Sequence, residues 1–131
     1  MRFGSYTWRV LDIKEEQALL ITDEIIDQRE FHNQKGAVTW AVCALRQYLN
    51  GDFYDAFQES EKSRIIAVTN KNDDNPWYDS ECGVDTLDHV FLLSLEEVVS
   101  KYFGDSSTCL INRSPKQRFW FQKKDENNTL R

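Results

Sequence analysis

The sequence predicts an α+β domain in which an N-terminal β-hairpin and two principal helices pack on an antiparallel sheet. Three observations carry that reading. Tyr6, Trp8 and Val10 alternate with Thr7, Arg9 and Leu11, the period of a half-buried strand, and a second apolar run, Ala18-Leu19-Leu20-Ile21, follows a short polar connection. The stretch from Trp40 to Asn50 is helix-compatible and apolar nearly all round. Ser94-Leu95-Glu96-Glu97 has the spacing of a capping box and precedes an apolar stripe.

Taken in order, the hairpin follows from the closeness of its two runs, although Lys14-Glu15-Glu16 lacks the Asn-Gly or Asp-Gly that favours a tight turn. Ile25-Ile26 leads into a polar loop at His32-Asn33-Gln34-Lys35-Gly36. Thr39 is placed to cap the first helix, and Gly51 offers the left-handed residue that would end it. A turn over Phe53 to Phe57 follows, and Ser60-Glu61 opens another helix. Ile65 to Val68 fits either a helix end or a short strand. Lys71 to Asp88 is polar, acidic and aperiodic, punctuated by Pro76 and Gly83, before a strand signal returns at Val90-Phe91-Leu92-Leu93. Ser94 and Glu97 satisfy each other's end amides, Leu93 and Val98 stand as a hydrophobic staple, and Gly104 stops the second principal helix.

The expected core comprises Trp8, Val10, Leu20, Trp40, Leu45, Leu49, Phe91, Leu93, Val98 and Tyr102. Truncating Leu45 to Ala should then cost about 2–5 kcal/mol. One domain is assigned to residues 1–124 and a solvated tail to 125–131.

A chain of 131 residues, 40% hydrophobic and 29% charged, suits one globular core. Its net charge of −6 repels phosphate backbones, so no nucleic acid is expected as a partner. Arg113, Lys116, Arg118, Lys123 and Lys124 surround Phe119, Trp120 and Phe121. That cluster reads as an aromatic edge strand with charged gatekeepers sooner than as a single-strand platform. Cys43, Cys82 and Cys109 form no CxxC pair, which argues against zinc and for free thiols in a reducing compartment. No apolar run approaches ~18 residues, so no membrane span is expected. The start has no signal-peptide stretch, which points to the cytoplasm, or to a cell surface if the chain belongs to a larger exported protein.

Motifs that carry chemistry are missing: there is no HExxH, GxSxG, GxGxxG or Walker pattern, so no catalytic residue and no cofactor are assigned. His32 and His89 stand without a motif around them. Asp73, Asp74 and Asp79 supply oxygen ligands of the kind calcium takes, yet their spacing departs from a calcium loop, and solvated loop carboxylates are the plainer reading. Trp77 and Tyr78, beside Asn75, could stack on a ligand, against the plainer reading of a turn whose Trp plugs the core. With Arg113 and Trp120 these three residues are the candidate ligand-binding set.

Assembled, the motifs resemble a known family. They are Phe3-Gly4-Ser5-Tyr6, Trp8-Arg9-Val10-Leu11, Thr39-Trp40 with Leu45-Arg46, Tyr48-Leu49-Asn50-Gly51, Asp52-Phe53-Tyr54, Asn75-Pro76-Trp77-Tyr78, Asp85-Thr86 and the run from Phe91 to Val98. Over roughly Phe3 to Asp105 the chain resembles an uncharacterised domain family of Gram-positive gut bacteria. The resemblance implies an α+β domain of C-type-lectin-like or formylglycine-generating-enzyme-like architecture, and no established activity. The family's later strands have only a fragment here, Asn112-Arg113-Ser114-Pro115, which suggests a shortened lectin-like fold. The expected function is therefore a non-enzymatic binding domain for a protein or glycan. The alternatives are an enzyme using a histidine with the acidic loop, and a calcium-assisted glycan module. A homodimer is expected through the β-prone segment Arg118-Phe119-Trp120-Phe121-Gln122.

Overall fold

The computed structural model describes residues 1–74 and 81–102, which belong to two compact units. The first comprises Met1–Asn72 and Gly83–Leu92. It contains a three-stranded antiparallel sheet of β1 (Arg2–Phe3), β2 (Tyr6–Lys14) and β3 (Gln17–Thr22), in that spatial order. The expected hairpin is β2–β3, with Lys14 opposite Gln17 across a two-residue turn. Glu15 holds that turn with φ at 55°. A left-handed conformation costs an L-residue about 1–2 kcal/mol, a cost this turn carries at Glu15 where Asn or Gly would lower it. The β1–β2 turn obeys the usual chemistry. Gly4 has φ +60°, and a Cβ there would lie 2.6 Å from Cε1 of Phe57.

The register of β2 on β3 slips between Val10 and Asp12, so Leu11 is the extra residue of a β-bulge. A bulge breaks the period of two. Leu11 is half-buried, and Val10, expected in the core, is 44% exposed.

The first helical stretch differs from expectation at both ends. A 3₁₀ turn, Trp40–Val42, precedes α1 (Ala44–Tyr48), and α1 runs on through a π-helical turn, Leu49–Phe53. Thr39 makes no side-chain capping bond; the cap is Cys43, whose Sγ accepts the Arg46 amide at 3.3 Å. Gly51 does not end the helix, because its φ is not left-handed and it lies inside the π turn. In consequence the chain stays helical through Asp55 and turns only at Ala56 and Phe57, where the turn was expected from Phe53 onward; Phe53 and Phe57 are buried. Phe53 stacks on Tyr6 at 5.7 Å and meets the Phe57 ring edge-on at 5.6 Å, and Phe57 lies 5.7 Å from Phe3. With Cys43 these two rings are the buried apolar core among the described residues. Trp8, Leu20, Trp40, Leu45 and Leu49 are half-buried around it.

After α2 (Glu59–Lys62), where the Glu61 carboxylate accepts the Gln58 amide at 2.9 Å, the chain forms an antiparallel pair of β4 (Val68–Asn70) and β5 (Thr86–Asp88). β5 lies in the segment expected to be aperiodic, whereas residues 90–93 form no strand. In β5 the usual alternation is inverted: Thr86 and Asp88 face inward and Leu87 is 64% exposed. Gly83, with φ +86°, lets the returning chain approach Thr39, since a Cβ there would sit 2.8 Å from the threonine Cβ.

In the second unit the expected capping box is present. The Ser94 amide donates to Glu97 Oε2 at 2.8 Å, and the Glu97 amide donates to Ser94 Oγ at 3.2 Å. The helix it starts passes into a π-helical run, Glu97–Tyr102. Leu93, Val98 and Tyr102 are half-buried there. Gly104, Cys109 and the 125–131 tail lie outside the described residues.

Because Phe53 is buried and Leu45 only half-buried, truncation should rank them accordingly. Phe53→Ala is expected to cost about 3–5 kcal/mol, and Leu45→Ala less than half of that. Urea unfolding of the two variants checks the order.

Candidate functional site

The first unit is organised around a buried carboxylate. Asp88 is fully buried, and four side chains from four elements donate to it. Trp40 Nε1 reaches Oδ2 at 2.9 Å, Asn70 Nδ2 reaches it at 2.9 Å and Thr86 Oγ at 2.7 Å. Arg46 Nε donates to Oδ1 at 2.7 Å, and its Nη1 donates to the Ala41 carbonyl at 2.9 Å. Burial pushes the Asp88 carboxyl upward, but the bonds from Trp40, Thr86, Asn70 and Arg46 outweigh it and hold it below the ordinary carboxylate range.

A second polar side chain works beside it. Asn50 Oδ1 accepts the amides of His89 at 2.8 Å and Val90 at 3.2 Å, while its Nδ2 donates to the carbonyls of Val90 at 2.8 Å and Arg46 at 3.2 Å. Its amide thus pairs with residues 89–90 as a neighbouring strand would. It also occupies a carbonyl of the preceding turn, at the point where the helix widens into its π turn.

Both histidines have structural partners. His32 Nδ1 accepts the Ala44 amide at 3.2 Å, and the Phe31 carbonyl accepts the Leu45 amide at 3.1 Å. With the Cys43 sulfur on Arg46, three end amides of α1 are each satisfied by a different group. The His89 ring stacks on Tyr54 with centroids 4.3 Å apart.

The surface feature with recognition chemistry is a shallow cavity of about 210 Å³ lined by Arg29, Glu30, Asn33, Ala44, Leu45 and Tyr48. The Arg29 guanidinium lies 3.5 Å over the Tyr48 ring and pairs with Asp27 at 2.7 Å. That pairing, with the Gln28 amide, holds the Asp27 carboxyl below its ordinary range.

Of the candidate ligand set, Asn75, Trp77, Tyr78, Arg113 and Trp120 all lie outside the described residues, as does Asp79. Asp73 is exposed, and the Asp74 carboxylate accepts the Cys82 amide at 3.1 Å, closing its own loop. Among the described residues no group of three or more His, Cys, Asp or Glu is placed to hold a metal ion. Nor is any helix long and apolar enough to cross a membrane. Sequence reading missed both the Asp88 node and the Arg29–Tyr48 groove. The available signal for the node was an Asp two residues after a Thr, which places both on one face of a strand.

Two outcomes are expected of the node. Asp88 has a lowered folded-state pKa, so its contribution is full above the unfolded value near ~3.9 and is lost as pH falls through the folded one. Asp88→Asn should therefore lower stability at neutral pH by about 2–4 kcal/mol and remove part of the decline seen from about pH 4 downward. Thermal unfolding from pH 2.5 to 7 checks this. Asn50→Asp exchanges a double donor for a carboxylate facing two carbonyls, and should cost about 2–3 kcal/mol at neutral pH, less once the new acid is protonated.

No curated protein and no solved structure matches the chain. A family model does, over residues 15–131. The match begins at the hairpin turn, inside the segment that carries the motif resemblance, and it takes in residues 106–131, which the motifs did not. The chain belongs to an uncharacterised family, the domain of unknown function DUF6273.

Proposed function

We propose that this is a non-catalytic binding domain whose ligand, a protein or a glycan, seats in the shallow cavity lined by the stacked Arg29 and Tyr48 with Glu30 and Asn33. The observation that carries the reading is the commitment of its reactive side chains to the scaffold. Asp88 and Arg46 close the interior node, the His32 nitrogen caps α1, and His89 stacks on Tyr54. Acid–base catalysis needs such groups beside a cavity and within reach of a reacting atom. The cavity is lined by Tyr48 and Arg29, residue types that dominate binding energetics, together with Glu30 and Asn33. Arg29 is already ordered by Asp27 and by the Tyr48 ring, so less side-chain freedom is lost on binding.

Amide shift mapping against glycan and peptide libraries tests the proposal. Bound ligand should perturb residues 29–33 and 44–48, and Arg29→Ala should weaken it about tenfold, equivalent to ~1.4 kcal/mol. Turnover of a library compound would overturn the non-catalytic reading. Thermal stabilisation by added calcium would move the binding function to the loop of Asp73, Asp74 and Asp79.

A further inference from the structure

The hairpin presents a second recognition surface, on the opposite side of β3 from β2. β3 is terminal in the order β1-β2-β3, and no hydrogen bond among the described residues engages its outer edge. Its six residues, Gln17–Thr22, contain no charge and no proline, the two usual devices for blocking an edge. The register puts Val10 beside Leu20 and Ile13 beside Ala18, so one face of the hairpin is an apolar strip. That strip is open to solvent, with Val10 44% and Ile13 71% exposed. Edge and strip together offer a row of backbone donors and acceptors next to apolar ground.

The charges at the two ends decide the occupant. Glu15 and Glu16 precede the strand, Asp23 and Glu24 follow it, and all four are exposed. Asp23 pairs with Arg9, but no partner engages Glu15, Glu16 or Glu24 among the described residues. A second copy of β3, paired antiparallel with Gln17 opposite Thr22, would bring Glu16 against Asp23 and Glu15 against Glu24 at both ends. Parallel pairing would set Glu16 against Glu16. Like charges directly opposed across a pair are destabilising, so both arrangements disfavour self-association.

The geometry points to strand addition by an extended segment of a partner protein: an uncharged centre of about six residues, alternate ones apolar to lie on the Val10–Ile13 strip, with Lys or Arg at each end. Main-chain bonds would give affinity, the strip would fix the register and the acidic ends would select the partner. This site is independent of the Arg29–Tyr48 groove and stands or falls separately.

The probe is a capped ten-residue peptide, Lys-Lys-Thr-Val-Thr-Val-Thr-Val-Lys-Lys, titrated into the full chain with amide shifts read by NMR. Saturable binding should perturb residues 17–22, weaken at least tenfold when the four Lys are replaced by Glu, and weaken with rising salt. A peptide with Pro at its two central positions should not bind. On the protein side, Glu16→Lys should reduce affinity for the basic peptide several-fold, and Arg29→Ala should leave it unchanged. The proposal is overturned if the Pro-containing peptide binds equally well, since the attraction would then be charge alone. Shifts that fall outside β3, or that depend on protein concentration without peptide, would overturn it as well.

Discussion

A carboxylate with no access to water must have its hydrogen bonds met from inside the protein, and in this domain meeting them positions the rest of the first unit. Asp88 draws one donor each from the 3₁₀ turn, α1, β4 and its own strand β5. These bonds are directional, so they set orientation as well as distance, which apolar contact alone does not. The apolar core is small, limited among the described residues to Cys43, Phe53 and Phe57. The polar node adds directional constraints to that apolar packing. Its net contribution to stability is modest, since burying the charge offsets much of what the bonds return, but removal of any one partner leaves that charge short of a donor.

The node also accounts for the irregular helix. Arg46 must face Asp88 from the first turn of α1, and Asn50, one turn later, must face the backbone of residues 89–90. Asn50 reaches both that segment and the Arg46 carbonyl, and the helix widens to a π turn at that point. The widening carries the chain through Gly51 to Phe53 and Phe57, whose rings close the sheet side of the core against Tyr6 and Phe3. A glycine that looks like a stop signal thus sits inside a helix held by contacts from elsewhere.

The fold class was legible because it rests on local periodicity. The hairpin, the Ser94–Glu97 capping box and the helix near residue 45 each follow from spacing in the sequence. What failed did so where tertiary demands overrode the local pattern. Val10, the last paired residue before the bulge at Leu11, keeps its side of the strand but stands 44% exposed, outside the expected core. β5 went unread because its inward residues are Thr86 and Asp88 and its outward one is Leu87, the reverse of the apolar-in rule. Thr39 looked like a cap, yet the helix begins four residues later on a cysteine sulfur. The family motif residues Trp40, Arg46 and Thr86 could be recognised together without a reason for their company. They are the partners of a residue that was not among them, and only the fold brings Asp88 to their centre.

That division of labour bears on where function can reside. Residues usually examined first for chemistry, a buried acid with an arginine and two histidines, are here the fasteners of the scaffold. A scaffold fastened from within tolerates variation outside, because its surface loops and edges are not needed to hold the core together. The inverted strand β5 leaves Leu87 64% exposed, and Val84, just before the strand, is 70% exposed. The β2–β3 hairpin is a further case. Its base is tied down by Trp8, whose Nε1 donates to the Phe3 carbonyl at 2.8 Å, and by the Arg9–Asp23 pair. Beyond the bulge Leu19 is half-buried, but Ile13 is 71% exposed and Ala18 is exposed, although the strands remain paired to the turn. Maintaining a paired, apolar and acid-bounded strand past the point where the core needs it has a cost in exposed apolar surface. Strand addition at β3, as proposed, would bury that surface.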